Sequence, residues 1–176
     1  IIGRLLARMH NVGALKDALD RVRINQKTYG LDSLDFLLDS KSVPMHLENT
    51  YADLVEEICE LSEPLFENQS THRIHGDCHL GNLLWGDAGP FWVDFDDMLV
   101  GPAIQDLRLV VPGRDDYSKR QFDLLLNAYS SMRNFDHLSL RLIEPLRALR
   151  MIHFSAWIAK RFEDPAFKRT FINFDT

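Results

Sequence analysis

Helical periodicity runs along much of the chain, is less regular over residues 14–45 and gives way to short patterns over residues 74–102. This last interruption restricts the possible folds more than any other feature. Ile2, Leu5, Leu6 and Met9 recur at helical spacing, and the pattern stops at Gly13, a residue suited to a helix C-terminus. Asp32-Ser33 can cap a short helix carrying Leu34, Phe36, Leu37 and Leu38, which Pro44 would end. Residues 46–67 read as a long helix with Leu47, Tyr51, Leu54, Val55, Ile58 and Leu61 on one face. Beyond Pro102, a short helix carries Ile104, Leu107, Val110 and Val111 and stops at Pro112-Gly113. Residues 116–133 form another, and a last one covers about 138–162. Pro145 predicts either a kink there or a second helix that starts beside it.

Residues 74–102 break this regularity with glycines (Gly76, Gly81, Gly86, Gly89, Gly101) and two prolines. Asn82-Leu83-Leu84-Trp85 and Phe91-Trp92-Val93-Asp94 flank Gly86-Asp87-Ala88-Gly89-Pro90, which predicts a β-hairpin with a five-residue turn. The expected outline is a mainly α (α+β) domain with one small hairpin in its middle.

The 176 residues suit about one domain, large enough for a sizeable core. A net charge of −6 argues against a nucleic-acid partner, because phosphate affinity needs a basic surface. No apolar run approaches the roughly 20 residues of a membrane span. Two cysteines, Cys59 and Cys78, are too few to staple a chain of this size, which predicts a reducing, cytoplasmic setting. The chain opens on Ile1-Ile2-Gly3-Arg4, already inside a helical pattern and without an initiator Met, so it is expected to be part of something longer.

Polar residues concentrate where regular structure lapses: His75-Gly76-Asp77-Cys78-His79-Leu80-Gly81-Asn82, then Asp94-Phe95-Asp96-Asp97, then Asp106. Asp77 and Asn82 lie five residues apart across a Gly-containing turn, and Asp94 lies twelve beyond Asn82. A hairpin folds back on itself, so Asn82 and Asp94 should meet at its open mouth. One carboxylate and one amide oxygen there suit a hard divalent cation, which takes few carboxylates. Asp77 remains as a separate carboxylate able to accept a proton. Taken singly, these residues could merely form turns; the ordered set is what points to chemistry. His75 and His79 around Cys78 could suggest zinc, but their spacing shares a face only in a helix, which Gly76 and Gly81 oppose. Cys78 has no basic neighbour following it to activate a thiolate.

His75-Gly76-Asp77-x-His79-x-x-Asn82 followed by Val93-Asp94-Phe95 resembles the catalytic and metal loops of the aminoglycoside phosphotransferase and choline kinase group, distant relatives of protein kinases. Further stretches, Val93-Asp94-Phe95-Asp96-Asp97, Gly101-Pro102-Ala103-Ile104-Gln105-Asp106-Leu107 and Ile143-Glu144-Pro145-Leu146-Arg147, are similar to the bacterial stress response kinase A branch, whose members are regarded as Ser/Thr protein kinases. The resemblance implies a protein-kinase-like C-terminal lobe, a helical bundle whose small hairpin carries the catalytic loop 75–82 and the metal loop 94–97. It implies ATP as co-substrate with Mg²⁺ or Mn²⁺, and a protein or small-molecule hydroxyl as acceptor. Asp77 would be the catalytic base, Asn82 and Asp94 would hold the metal, and His75, His79 and Asp106 would support the loop. Leu84 and Val93 would lie against the nucleotide; for Leu84 the plain alternative is hairpin core. Asp96 and Asp97 would act on substrate or support the site locally.

The departures from that pattern carry information too. Residue 76 is Gly where most protein kinases have Arg, and only seven steps separate Asp94 from Gly101. Control by phosphorylation of this loop is therefore not expected. No Gly-rich strand–turn–strand and no Val-Ala-x-Lys-like strand occurs, so an N-terminal ATP-binding lobe would have to precede Ile1. Seven acids and no Lys or Arg lie between Lys41 and Arg73, which reads as a solvated helix face. A cationic tail (Arg141, Arg147, Arg150, Lys160, Arg161, Lys168, Arg169) could pair within the chain or meet an acidic partner.

Overall fold

The computed structural model describes residues 1–174. Its helices are α1 (Ile2–Gly13), α2 (Asp32–Asp39), α3 (Glu48–Phe66), α4 (Ile104–Val110), α5 (Asp116–Ser130), α6 (Ile143–Ala159) and α7 (Pro165–Thr170). Four short strands accompany them: β1 (His72–Ile74), β2 (Leu83–Gly86), β3 (Gly89–Trp92) and β4 (Leu99–Gly101). The chain divides into two compact units, one of residues 1–24 and 68–143, the other of residues 25–67 and 144–174.

The first unit holds all four strands. The expected hairpin is present as β2–β3, with Leu83 opposite Trp92 and Gly86 opposite Gly89. Its turn is two residues, Asp87-Ala88, rather than five, because Gly89 takes φ +106° and lets pairing continue to the tip. A second antiparallel pair, β1–β4, joins Ile74 to Leu99 and His72 to Gly101. Three-residue strands leave too little alternation to read from sequence. The pair matters because β1 leads directly into His75 and β4 follows directly on the loop of Asp94.

Helix α1 buries Gly3, Leu6, Ala7, His10 and Gly13. This stripe is displaced from the one that apolar residues alone suggest, and it is narrower in bulk. A Cβ on Gly3 would come 2.3 Å from the carbonyl of Leu125, so glycine lets α1 lie directly on α5. Gly13 serves close approach as well: its Cβ would meet the Arg73 carbonyl at 2.1 Å, and its backbone is not left-handed. Leu6, Ile74, Ile104, Leu107 and Leu142 form the fully buried centre, each contributing roughly 1.5–3 kcal/mol by leaving water.

In the second unit the start of α2 is not capped by Asp32. A π-helical turn, Gln26–Leu31, runs straight into it, and the cap is Asn25, whose side chain accepts from Thr28 N while the Thr28 hydroxyl accepts from Asn25 N. Helix α3 buries Val55, Cys59 and Ser62, whereas Leu54 and Leu61 stay exposed, so the core face is rotated from the expected one. Gly30 explains the choice: a Cβ there would meet the Cys59 sulfur at 2.3 Å. Pro145 lies in the first turn of α6, after a 3₁₀ turn at His137–Leu142, so the predicted long helix is two pieces. Asp164 caps α7, accepting from Ala166 N, with Pro165 at its first position. In the cationic tail, Arg147 pairs with Glu144 and Lys168 with Glu163, while Lys160 and Arg161 lie over the rings of Phe36 and Trp157. No helix among the described residues is long and apolar enough to cross a membrane.

Candidate active site

The site begins with one buried carboxylate. Asp106, in the first turn of α4, is fully buried. Its Oδ2 accepts from His75 N and its Oδ1 from Gly76 N, both at 2.9 Å. His10 of α1 donates to the same carboxylate through Nε2 at 3.0 Å, and its Nδ1 lies 2.9 Å from the Tyr129 hydroxyl of α5. Burial alone would raise the Asp106 pKa, but the hydrogen bond and charge of His10 and the amides of Gly76 and His75 outweigh it and hold the carboxyl below its ordinary value. Cys78 is fully buried beside it. Burial, and then Asp106 itself, push its thiol far up, so it remains a thiol at neutral pH.

Gly76 has φ +87°, and a Cβ there would come 2.5 Å from the Asp97 carbonyl. The His75–Asn82 loop and the Asp94–Asp97 loop therefore touch backbone to backbone, and only glycine permits it. Gly76→Ala is expected to lower stability by about 1–3 kcal/mol, from left-handed strain and displaced backbone; a shift of the urea midpoint measures it. Gln105 donates to the Gly76 carbonyl at 3.4 Å, and Arg108 grips the Gln105 amide oxygen at 3.0 and 2.7 Å, both side chains being buried.

The expected residues converge at the mouth of the hairpin. Asn82 Nδ2 donates to the Asp77 backbone oxygen at 3.0 Å and to its Oδ2 at 3.3 Å. Val93 N donates to the Asn82 carbonyl at 3.0 Å, which places Val93 opposite Asn82 and Asp94 one residue beyond it in the chain. His75 donates from Nε2 to the Val93 carbonyl at 2.9 Å and accepts from Asp77 N through Nδ1 at 3.3 Å. Both imidazole nitrogens thus brace the two loops. His79 accepts from Gly81 N through Nδ1, and its Nε2 lies 3.3 Å from Asp77 Oδ2.

Asp94 is exposed and has φ +63°, a strained conformation for a residue with a side chain and one that clusters at functional sites. Asn82 commits its NH₂ to Asp77, which turns its Oδ1 into the atom a cation can use. An amide oxygen and one carboxylate suit a hard divalent ion completed by water and phosphate oxygens. No group of three or more His, Cys, Asp or Glu side chains among the described residues could hold a metal alone.

Leu84 is half exposed, so it is not hairpin core; Leu83 and Trp92 fill that role. Asp96 and Asp97 are exposed, and their backbone carbonyls are engaged, Asp96 by Arg21 at 3.2 Å and Asp97 by contact with Gly76. Sequence reasoning missed His10, Tyr129, Gln105 and Arg108. Their only trace was a polar residue at each buried position of otherwise apolar helical stripes.

Residues 1–143 match the model of the phosphotransferase enzyme family known as APH. The chain belongs to this family. It is 36% identical over 171 residues to the stress response kinase A of Escherichia coli K12, and 34% identical to the Salmonella typhimurium LT2 serine/threonine protein kinase RdoA. Each alignment covers 97% of this chain and 52% of the relative, so the chain spans about half the length of these curated relatives. Among solved structures, the amicoumacin kinase hAmiN in complex with AMP-PNP, Ca²⁺ and Ami superposes with a TM-score of 0.69 at 18% identity, covering 99% of this chain and 56% of that one. Spectinomycin phosphotransferase APH(9)-Ia gives 0.58 at 14%, covering 98% and 58%. These likenesses establish an aminoglycoside-kinase-like fold, mainly helical with small antiparallel sheets. For an APH-family chain the loop that Asp106 anchors is the conspicuous polar feature.

Acidification tests the packing within each of the two units of this APH-family chain. Burial, then His10 and Arg133, push the His72 pKa down to about 3, and burial with Lys160, Arg150 and Arg161 pushes His153 down to about 4. Both pKa values are lowered in the folded state, so between pH 6.5 and these values the unfolded chain binds more protons. Stability is full above about pH 6.5 and falls as pH drops toward 3. The melting temperature should decline through that window, and His72→Gln should flatten the decline.

Proposed function

We propose that residues 1–176 are the catalytic lobe of a kinase that transfers the γ-phosphoryl group of ATP to a hydroxyl. The observation that carries the reading is the junction at the hairpin mouth, where the Asn82 amide holds the Asp77 carboxylate and Val93, the residue before Asp94, bonds to the Asn82 carbonyl. Asp77 accepts the proton of the attacking hydroxyl as the new bond forms. Asn82 and Asp94 hold the divalent cation, Mg²⁺ or Mn²⁺, and His75, His79 and Asp106 keep the two loops in register. When bound, the cation offsets the charge that builds on the phosphoryl oxygens. Leu84, half exposed beside Asn82, offers an apolar surface to the adenine, with Val93 next to it.

The phosphate-cradling loop and its lysine come from an N-terminal lobe outside these residues, in keeping with relatives about twice as long. The isolated chain would then hold ATP weakly. Low-micromolar ATP binding with turnover by residues 1–176 alone would overturn that part of the reading. The acceptor we favour is a Ser or Thr side chain on a protein, on the strength of the 34% identity to a serine/threonine protein kinase. A small-molecule alcohol is the second reading, favoured by the fold shared with amicoumacin and spectinomycin kinases. Incubating the enzyme bearing its N-terminal lobe with radiolabelled ATP and Mg²⁺ separates them: label on protein Ser or Thr supports the first, label only on added alcohols the second. No transfer to any hydroxyl would sink both.

A further inference from the structure

The first unit carries a polar cavity, of about 330 Å³, that the phosphotransfer reading leaves unused. It lies where the end of α1 and the segment after it meet β1 and Val100 of β4. Its lining is basic: Lys16, Arg23, Arg73 and Arg133 stand against one carboxylate, Asp17. His72 lines it as well. Both His72 ring nitrogens are buried without a hydrogen-bond partner among the described residues, and so is Arg73 Nε. Those nitrogens are sealed from the cavity itself, which is faced by the charged ends of the four cations. Four cations facing one concavity repel one another. One kind of ligand answers that repulsion: a multivalent oxyanion, which accepts hydrogen bonds from the cationic side chains and supplies opposite charge.

The geometry points to this cavity as a binding site for a phosphoryl dianion. Guanidinium groups such as those of Arg73 and Arg133 match phosphate oxygens in fork geometry, and Lys16 adds a point charge from a flexible stem. A dianion suits a wall of four cations and one carboxylate better than a monoanion does. The site is coupled to the catalytic loop by covalent structure, because β1 runs from His72 through Ile74 into His75-Gly76-Asp77. The His72 ring also sits edge-on to His10, 5.0 Å between centroids, and His10 holds Asp106. The inference does not depend on the proposed reaction, since its test reads binding.

The test is titration of inorganic phosphate into the protein at constant ionic strength, with chloride as the matched salt, followed by melting temperature and by the His72 ring resonances. Phosphate should raise the melting temperature saturably and move the His72 signals, assigned with His72→Gln; chloride should do neither. Lys16→Gln and Arg73→Gln should each weaken phosphate binding about tenfold, the loss of one charge-assisted contact, with little change in unliganded melting temperature. O-phosphoserine run in parallel identifies the source: tighter binding than phosphate points to a phosphorylated side chain, weaker binding to the free anion. Identical responses to phosphate and chloride would overturn the site. So would full phosphate affinity in both variants. If a variant fails to fold, the wild-type His72 response decides alone.

Discussion

On the proposed reading, Asp77→Asn should lower phosphoryl transfer about 10²- to 10⁴-fold, the usual contribution of a positioned general base, in a protein that carries the proposed N-terminal lobe. The amide is nearly isosteric, and its oxygen can still accept from Asn82 Nδ2, which now contacts Asp77 Oδ2 at 3.3 Å. The loop should therefore keep its shape while losing the group that takes the proton. The loss should fall on kcat, with KM for ATP close to unchanged, because Asp77 is assigned to the acceptor hydroxyl and not to the nucleotide. An unchanged melting temperature would show that the variant is folded. A rate within a few-fold of wild type would remove Asp77 from the base role and return the acid to loop structure.

Asp106→Ala should be the most damaging single change to stability. The carboxylate is fully buried and satisfies two backbone amides and His10. Truncation leaves three buried donors without acceptors, and removing one partner of a buried charged network costs about 3–5 kcal/mol. That is a large share of the roughly 5–15 kcal/mol that holds a domain folded. For a chain of this size it corresponds to a fall in melting temperature of about 6–20 °C. Asp106→Asn is the informative companion, since it keeps the volume and one acceptor but turns an NH₂ toward groups that already donate. It should cost less than Ala while still loosening the catalytic loop. A melting temperature for the Ala variant within 2 °C of wild type, by calorimetry, would show that the network does not carry the loop.

The two predictions rest on different levels of the molecule. Asp77, Asn82 and Asp94 were legible as a set because their spacing across a Gly-rich turn and a hairpin allows few arrangements, and because neighbouring residues match a family. Asp106 was legible only through that resemblance. Its partners were not legible at all. His10 lies 96 residues from Asp106 and 119 from Tyr129, and no local pattern links them. The same holds for the core faces. Leu54 and Leu61 look like core on α3, yet they stay exposed, while Val55 is buried as expected together with Cys59, which Gly30 lets approach closely.

The amino-acid sequence by itself determined the class of the molecule: helices from 3.6-residue periodicity, one hairpin from paired runs about a turn, and a polar cluster at the interruption over residues 74–102. Those features arise from neighbours in the chain, whose steric and hydrogen-bonding preferences act over a few residues. Only the tertiary structure decided which helix faces are buried, that a second strand pair joins the catalytic loop to the Asp94 loop, and that His10 and Tyr129 stand behind Asp106. It alone gathered Lys16, Arg23, Arg73 and Arg133, from three separated stretches of chain, around His72. Such placements depend on packing between distant segments, where one glycine's missing Cβ or one buried donor's need for an acceptor outweighs every local preference.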